Sequence, residues 1–136
     1  MESKREWVFG ACRVVLEEPD VLLVNPGPTS LEVARFLVDL YRELGSQRPL
    51  FLIVMIKGHP LTMEARGYFR QHIHTEWFRS VIFIGAGIME RALGKALYAG
   101  GVFIRAWKAD IYYVHTEEEA RVRLSQLRAK QEAQPG

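Results

Sequence analysis

The sequence predicts an α/β domain: a mixed β-sheet with helices packed against it, in the element order β-β-α-β-α-β-α-β-α. Residues 50–56 form a continuous apolar run, too short to cross a bilayer and typical of a strand covered on both faces. Short apolar strands then alternate with segments whose apolar residues recur every three or four positions. An opening hairpin followed by this alternation predicts a mostly parallel core to the sheet.

The first elements predicted are a hairpin and a helix. Residues 7–16 and 21–24 have the apolar content of two strands, and Pro19 lies in the turn between them. Thr29 and Glu32 have the spacing of a capping box, which predicts the start of a helix, and Gly45 predicts its end. The apolar stripe of this helix consists of Val33, Leu37, Leu40, Tyr41 and Leu44.

The middle of the chain predicts two further strand–helix pairs. After the buried strand at 50–56, a helix is expected to begin near Thr62. Its apolar residues, spaced four apart, are Ala65, Phe69 and Ile73. Residues 80–84 form another short apolar strand, which leads through a glycine-rich turn into a helix over residues 89–97.

The last predicted elements are a strand at 111–114 and a helix that Thr116 opens with a capping box. Ala120, Leu124 and Leu127 face the core from this helix. The chain is interpreted as one domain, 1–136, with a core at about 7–130 and a disordered polar tail at 131–136.

Composition narrows the classes of function. The net charge of +2 does not by itself favour a nucleic-acid partner, and no nucleic acid is expected. Cys12 is the only cysteine, which excludes a disulfide framework and fits a reducing compartment. No apolar run approaches the length of a membrane span, and the first residues lack an apolar signal core. We therefore expect a cytoplasmic protein without a membrane span.

Residues that could carry catalysis do not form a recognisable set. His72 and His74 are two apart and diverge around a helix, so with His59 they do not predict a metal site. Cys12 lies inside a strand and is interpreted as a small buried hydrophobe. We therefore predict no enzyme activity, no catalytic residue, no metal and no cofactor.

Several short sequence segments resemble those of a known protein family. They are Glu18-Pro19-Asp20 before an apolar strand, the helix start at Thr29 and Glu32, Pro49-Leu50-Phe51-Leu52-Ile53-Val54, and His115-Thr116-Glu117-Glu118-Glu119-Ala120-Arg121. With the order of elements, they make the chain similar to STAS domains, the fold of bacterial anti-sigma-factor antagonists, and closest to the divergent SpoIIAA-like set. The resemblance runs from about Val8 to Leu127.

The resemblance implies a non-enzymatic signalling module that docks a protein partner such as a kinase, an anti-sigma-like protein or another regulator. In the family, a serine at the helix start after the central strand is phosphorylated, usually within an Asp-Ser pair. This chain has no Asp-Ser pair there, and Thr62 is the only hydroxyl. The residues implied in partner binding are Lys57, Gly58, His59, Thr62, Glu64, Arg66 and Arg70, with Thr62 as candidate phospho-acceptor. An alternative explanation of Thr62 is a plain helix N-cap.

Two alternatives involve apolar residues. Val102, Phe103 and Trp107 lie where polar loop residues are expected, so with Arg105 and Lys108 they predict an interaction patch, including one for a homodimer. Tyr68, Trp77 and Met89 could instead line a cavity between sheet and helices that binds a small apolar ligand or lipid. Plain core packing is the more common explanation of such aromatic residues, Trp77 included.

Overall fold

The α/β fold is confirmed in a computed structural model, which describes residues 5–56, 61–85 and 110–133, without the side chains of Asp110 and residues 131–133. In these ranges a six-stranded mixed sheet is accompanied by three α-helices. The element order differs somewhat from the predicted one, because three strands instead of two precede the first helix. The helix predicted over residues 89–97 lies outside the described residues.

The strands follow one another across the sheet in chain order. They are β1 (Arg5–Phe9), β2 (Cys12–Glu18), β3 (Val21–Asn25), β4 (Leu50–Met55), β5 (Phe78–Ile84) and β6 (Asp110–Val114). The first three pair antiparallel, whereas β3 through β6 pair parallel. The helices are α1 (Leu31–Gly45), α2 (Met63–His72) and α3 (Glu117–Ala133), and a 3-10 turn, Thr75–Trp77, precedes β5.

The single strand predicted over residues 7–16 is wrong, because a tight turn divides it into β1 and β2. Phe9 pairs directly with Cys12, so Gly10 and Ala11 form a two-residue connection. Gly10 has a φ of +59°, a conformation that glycine adopts without steric cost. The apolar residues continue on both sides of the turn, which made the two strands look like one.

Strand β4 is buried on both faces, as its continuous apolar run predicted. Leu50, Leu52 and Val54 pack in the core that α1 and α2 cover. Phe51 and Ile53 point the other way, into a second core with Ala120 and Leu124 of α3. Side chains alternate across a strand, so seven consecutive apolar residues supply both cores.

The predicted end of α1 at Gly45 is confirmed, whereas its predicted N-cap needs correction. Its N-cap is Ser30, whose hydroxyl accepts a hydrogen bond from the Val33 amide at 3.4 Å, and not Thr29. Thr29 is buried and its hydroxyl donates to the Gly27 carbonyl at 3.1 Å. Gly45 does not adopt a left-handed terminating conformation; the capping residue after it is Ser46, in the right-handed helical region.

Helix α3 is held to the opening hairpin by charges as well as by apolar contacts. Its predicted cap is confirmed, since the Thr116 hydroxyl accepts from the Glu119 amide at 3.1 Å. Arg121 binds Glu17 through two hydrogen bonds, and Arg128 pairs with Asp20 at 2.7 Å. The helix continues to Ala133, three residues into the segment predicted to be disordered.

Candidate functional site

The starts of α1 and α2 lie side by side at the carboxyl ends of β3 and β4. The residues just before the two N-caps, Thr29 and Leu61, form a parallel bridge, and the Thr62 amide donates to the Thr29 carbonyl at 3.1 Å. Both helices open with a hydroxyl, an apolar residue and a glutamate: Ser30-Leu31-Glu32 and Thr62-Met63-Glu64. This edge is where open α/β sheets commonly carry functional groups.

Thr62 is the N-cap of α2, as the sequence predicted. Its hydroxyl oxygen accepts a hydrogen bond from the Ala65 amide at 3.1 Å, and the residue is exposed. The first amides of a helix carry a partial positive charge, so a negative group attached here would be stabilised. The hydroxyl is therefore accessible and stands in a setting that tolerates an anion.

Apolar side chains flank this hydroxyl on both sides. Leu61 is 37% exposed, and Met63 is 81% exposed. No other large apolar side chain in the described ranges is as exposed as Met63; the remaining exposed ones are Val8, Phe9 and Val122. Met63 and Leu61 thus place a small exposed apolar surface on either side of Thr62.

The other predicted site residues divide between α2 and the segment before it. Glu64 and Arg70 are exposed, and Arg66 is half-buried. Lys57, Gly58 and His59 lie outside the described residues. Within α2 the structure thus brings Thr62, Glu64, Arg66 and Arg70 onto one short helix.

The charged residues near the two helix starts differ in their hydrogen-bond partners. The pKa of Glu32 is lowered from its ordinary value, chiefly by a hydrogen bond from its own backbone amide and then by the Ser30 hydroxyl. Arg66 differs: its Nε atom is buried and has no hydrogen-bond partner in the part of the chain that the structure describes. Neither Arg66 nor Arg70 forms an ion pair with the described acids.

Of the three residues proposed to line a cavity, Tyr68, Trp77 and Met89, the two that the structure describes do not share one environment. Trp77 is only 5% exposed and packs edge-on against Phe78, so the core explanation is confirmed for it. Tyr68 is half-buried, with its ring 4.2 Å from that of His72. Met89 lies outside the described residues. The same holds for the predicted patch, which consists of Val102, Phe103 and Trp107 with Arg105 and Lys108.

The two described histidines of the 59–74 cluster have separate neighbours. His72 packs on Tyr68, whereas His74 stacks on Trp77 at 4.8 Å and lies 3.4 Å from a Glu76 oxygen. Within residues 5–56, 61–85 and 110–133, no three His, Cys, Asp or Glu side chains are grouped so that they could hold a metal ion. None of the helices described there is long and apolar enough to cross a membrane.

Cys12 is confirmed as a buried residue, and its thiol is expected to be inert in the folded protein. Burial raises its pKa to about 11, so at pH 8 the thiolate fraction alone should slow labelling about 100-fold. Labelling with Ellman's reagent, in native buffer and in denaturant, measures this. Because folding raises the pKa, stability should also fall as the pH rises above about 9. Rapid native labelling would contradict the burial.

Two features of α2 were missed by reasoning from the sequence. Met63 and Gly67 both fall outside the apolar stripe at 65, 69 and 73, so they were not assigned a role. The sequence did contain one signal for this position. Glycine in the interior of a helix costs about 1 kcal/mol relative to alanine, so its presence at position 67 indicated a packing or functional constraint.

The fold and this site together define an α/β domain in which the most exposed large apolar residue of the described ranges, Met63, adjoins the exposed Thr62. No protein-family model matches the chain, and the curated proteins contain none with a significantly similar sequence.

Proposed function

We propose that the chain is a non-enzymatic, STAS-like regulatory module that docks a protein partner through the segment before α2 and the first turns of that helix. The proposed surface comprises Leu61, Thr62, Met63 and the exposed side of α2, and the proposal also assigns partner binding to Lys57, Gly58 and His59. A bacterial cytoplasmic location, in keeping with the resemblance and the single free thiol, belongs to the same proposal.

The observation that carries this proposal is the exposure of Met63 next to Thr62. Burying a methionine side chain stabilises a complex by about 1.5–3 kcal/mol relative to leaving it in water. Met63 contributes little to the stability of the fold, because 81% of the residue remains exposed. A partner that covers Met63 and Leu61 would bring its own atoms next to the Thr62 hydroxyl.

Thr62 would act as the switch of this surface. A phosphate there would meet the first amides and the positive end of α2, so the helix would accommodate it. The same phosphate would add about two negative charges within the docking surface, and desolvating them would oppose binding. The modification would therefore release the partner without unfolding the domain.

A photo-crosslinking experiment tests the docking surface. Benzoylphenylalanine is placed at Met63 and, as a matched control, at Val122, which is 54% exposed on α3. In lysate of the source organism, we expect a specific crosslinked protein from position 63 and not from position 122. Adding Thr62→Glu should reduce the position-63 product at least tenfold.

A second control separates the charge from loss of the cap. Thr62→Ser keeps the N-cap and should crosslink like the wild type, whereas Thr62→Ala should lose about 1 kcal/mol of stability but retain docking. Equal crosslinking from both positions, or none from position 63, would exclude this helix start as the docking surface.

A further inference from the structure

We propose that the partner segment is acidic and packs closely on the side of α2 that carries Met63, Arg66, Gly67 and Arg70, of which Met63 and Arg70 are exposed and Arg66 and Gly67 are half-buried. This inference rests on the docking function proposed above and specifies the chemistry of the partner. Residues of an α-helix advance by about 100° each, so these four share one side. That side is opposite the inner face formed by Ala65, Tyr68, Phe69 and His72.

Gly67 leaves a gap in the middle of this side of α2. A Cβ atom built there meets no atom of the described structure within 4 Å, so no described neighbour requires glycine. Glycine in a helix interior costs about 0.5–1 kcal/mol relative to alanine. A close approach by another chain would account for glycine at this position, because a residue without a Cβ atom lets a second backbone or a bulky side chain come nearest to the helix.

Met63 lies one turn before this gap and supplies the apolar contact. It is 81% exposed, and its spacing of four from Gly67 places both on one line along the helix. An apolar side chain of the partner that enters the gap would therefore pack against Met63. This arrangement matches the way a short amphipathic segment docks on a helix.

The two arginines define the charge of the partner. Arg66 and Arg70 are one turn apart, and neither forms an ion pair with an acid in the described ranges. Guanidinium groups match carboxylates in shape and charge, so this side of α2 is complementary to an acidic segment.

An acidic partner also accounts for the direction of the switch. Thr62 lies one turn before Arg66, so a phosphate at Thr62 would weaken the positive charge that attracts the partner. Modification would then repel an acidic segment, whereas it would attract a basic one. The sign of this effect is a direct consequence of the charge assigned to the partner.

Selection from a random library of 12-residue peptides displayed on phage tests the inference without a known partner. The library is selected on the wild-type protein after depletion on the Met63→Ala variant, which removes the apolar contact without adding a charge. We expect the recovered peptides to be enriched in Asp and Glu at least threefold over Lys and Arg, with apolar residues at helical spacing. Selection on Arg66→Glu/Arg70→Glu should reverse the charge preference.

Gly67→Leu tests the gap separately. Leucine favours a helix, and a Cβ atom at this position meets nothing within 4 Å, so the variant is expected to remain folded, which thermal denaturation checks. Its affinity for the selected peptides should nevertheless fall at least tenfold. Unchanged affinity of Gly67→Leu, or a basic or neutral peptide pool, would overturn the acidic partner and leave docking intact.

Two other results are decisive. If no peptide depends on Met63 and position 63 gives no crosslink, the docking function itself fails. If an oligonucleotide of unrelated sequence or anionic lipid vesicles bind the wild type more tightly than every selected peptide, and Arg66→Glu/Arg70→Glu abolishes that binding, the two arginines recognise phosphate groups and the acidic protein segment is excluded.

Discussion

Replacing Gly45 by alanine is expected to lower the free energy of unfolding by about 2–3 kcal/mol. A Cβ atom at Gly45 would lie 2.5 Å from the Cβ atom of Trp77 and 3.1 Å from its Cα atom. Both contacts are too close, and one involves the backbone, so the 3-10 turn before β5 would have to move. Trp77 is 5% exposed, so this movement would disturb the core beneath α1. Chemical denaturation monitored by tryptophan fluorescence measures the effect.

Gly67→Ala is the matched control, because it makes the same change in a helix where a Cβ atom meets nothing within 4 Å. It should raise the free energy of unfolding by about 0.5–1 kcal/mol, the ordinary gain of helix propensity. Opposite signs for the two variants would establish that close packing against Trp77 requires Gly45. A stabilising Gly45→Ala would refute that explanation.

Arg121→Ala is expected to cost about 2 kcal/mol. The guanidinium of Arg121 donates two hydrogen bonds to the Glu17 carboxylate, one of them at 2.7 Å, and a third to Glu117 at 3.1 Å. The Glu17 side chain is only 13% exposed, so its charge has little water to replace these bonds. Removing one partner of a fully buried pair costs about 3–5 kcal/mol, and we expect less because Arg121 is 38% exposed.

The matched control is Arg13→Ala, which removes an ion pair with Glu6 whose side chains are 65% and 41% exposed. Such a surface pair contributes at most about 1 kcal/mol, and high salt screens it further. Hydrogen exchange should become faster across α3 in Arg121→Ala and stay unchanged there in Arg13→Ala. Similar losses of stability in both variants would mean that the Arg121–Glu17 pair gains nothing from its burial.

The hydrogen bonds to Glu17 also raise the pKa of Arg121 above its ordinary value, so this side chain stays charged wherever the protein is folded. The contribution of the pair therefore persists at alkaline pH and is lost only in acid, as carboxylates become protonated.

Signals that act within a few residues made much of the fold predictable. The apolar run at 50–56 predicted a strand buried on both faces, because a strand alternates its side chains and only full coverage favours an unbroken apolar run. Thr62 and Thr116 were recognised as helix caps, because a hydroxyl three residues before a free amide satisfies it locally. The candidate site was predicted in part, through Thr62 and its helix.

Contacts between distant parts of the chain could not be inferred in this way. Thr29 has a better capping-box spacing than Ser30, but its backbone is drawn into a bridge with Leu61, which leaves Ser30 to cap α1. Gly45 was correctly predicted to end α1, but its close contact with Trp77 joins residues 32 positions apart and could not be inferred. The exposure of Met63 likewise depends on how α2 lies on the sheet.

The sequence by itself thus determined the alternation of strands and helices, the buried central strand and the caps at Thr62 and Thr116. These depend on side-chain periodicity and on hydrogen bonds between near neighbours. Only the tertiary structure decided the division of the first strand, the capping of α1 by Ser30 and the pairing of Arg121 with Glu17, 104 residues away. It also decided which face of α2 remains exposed, because each of these features depends on which distant surfaces meet when the sheet and helices pack.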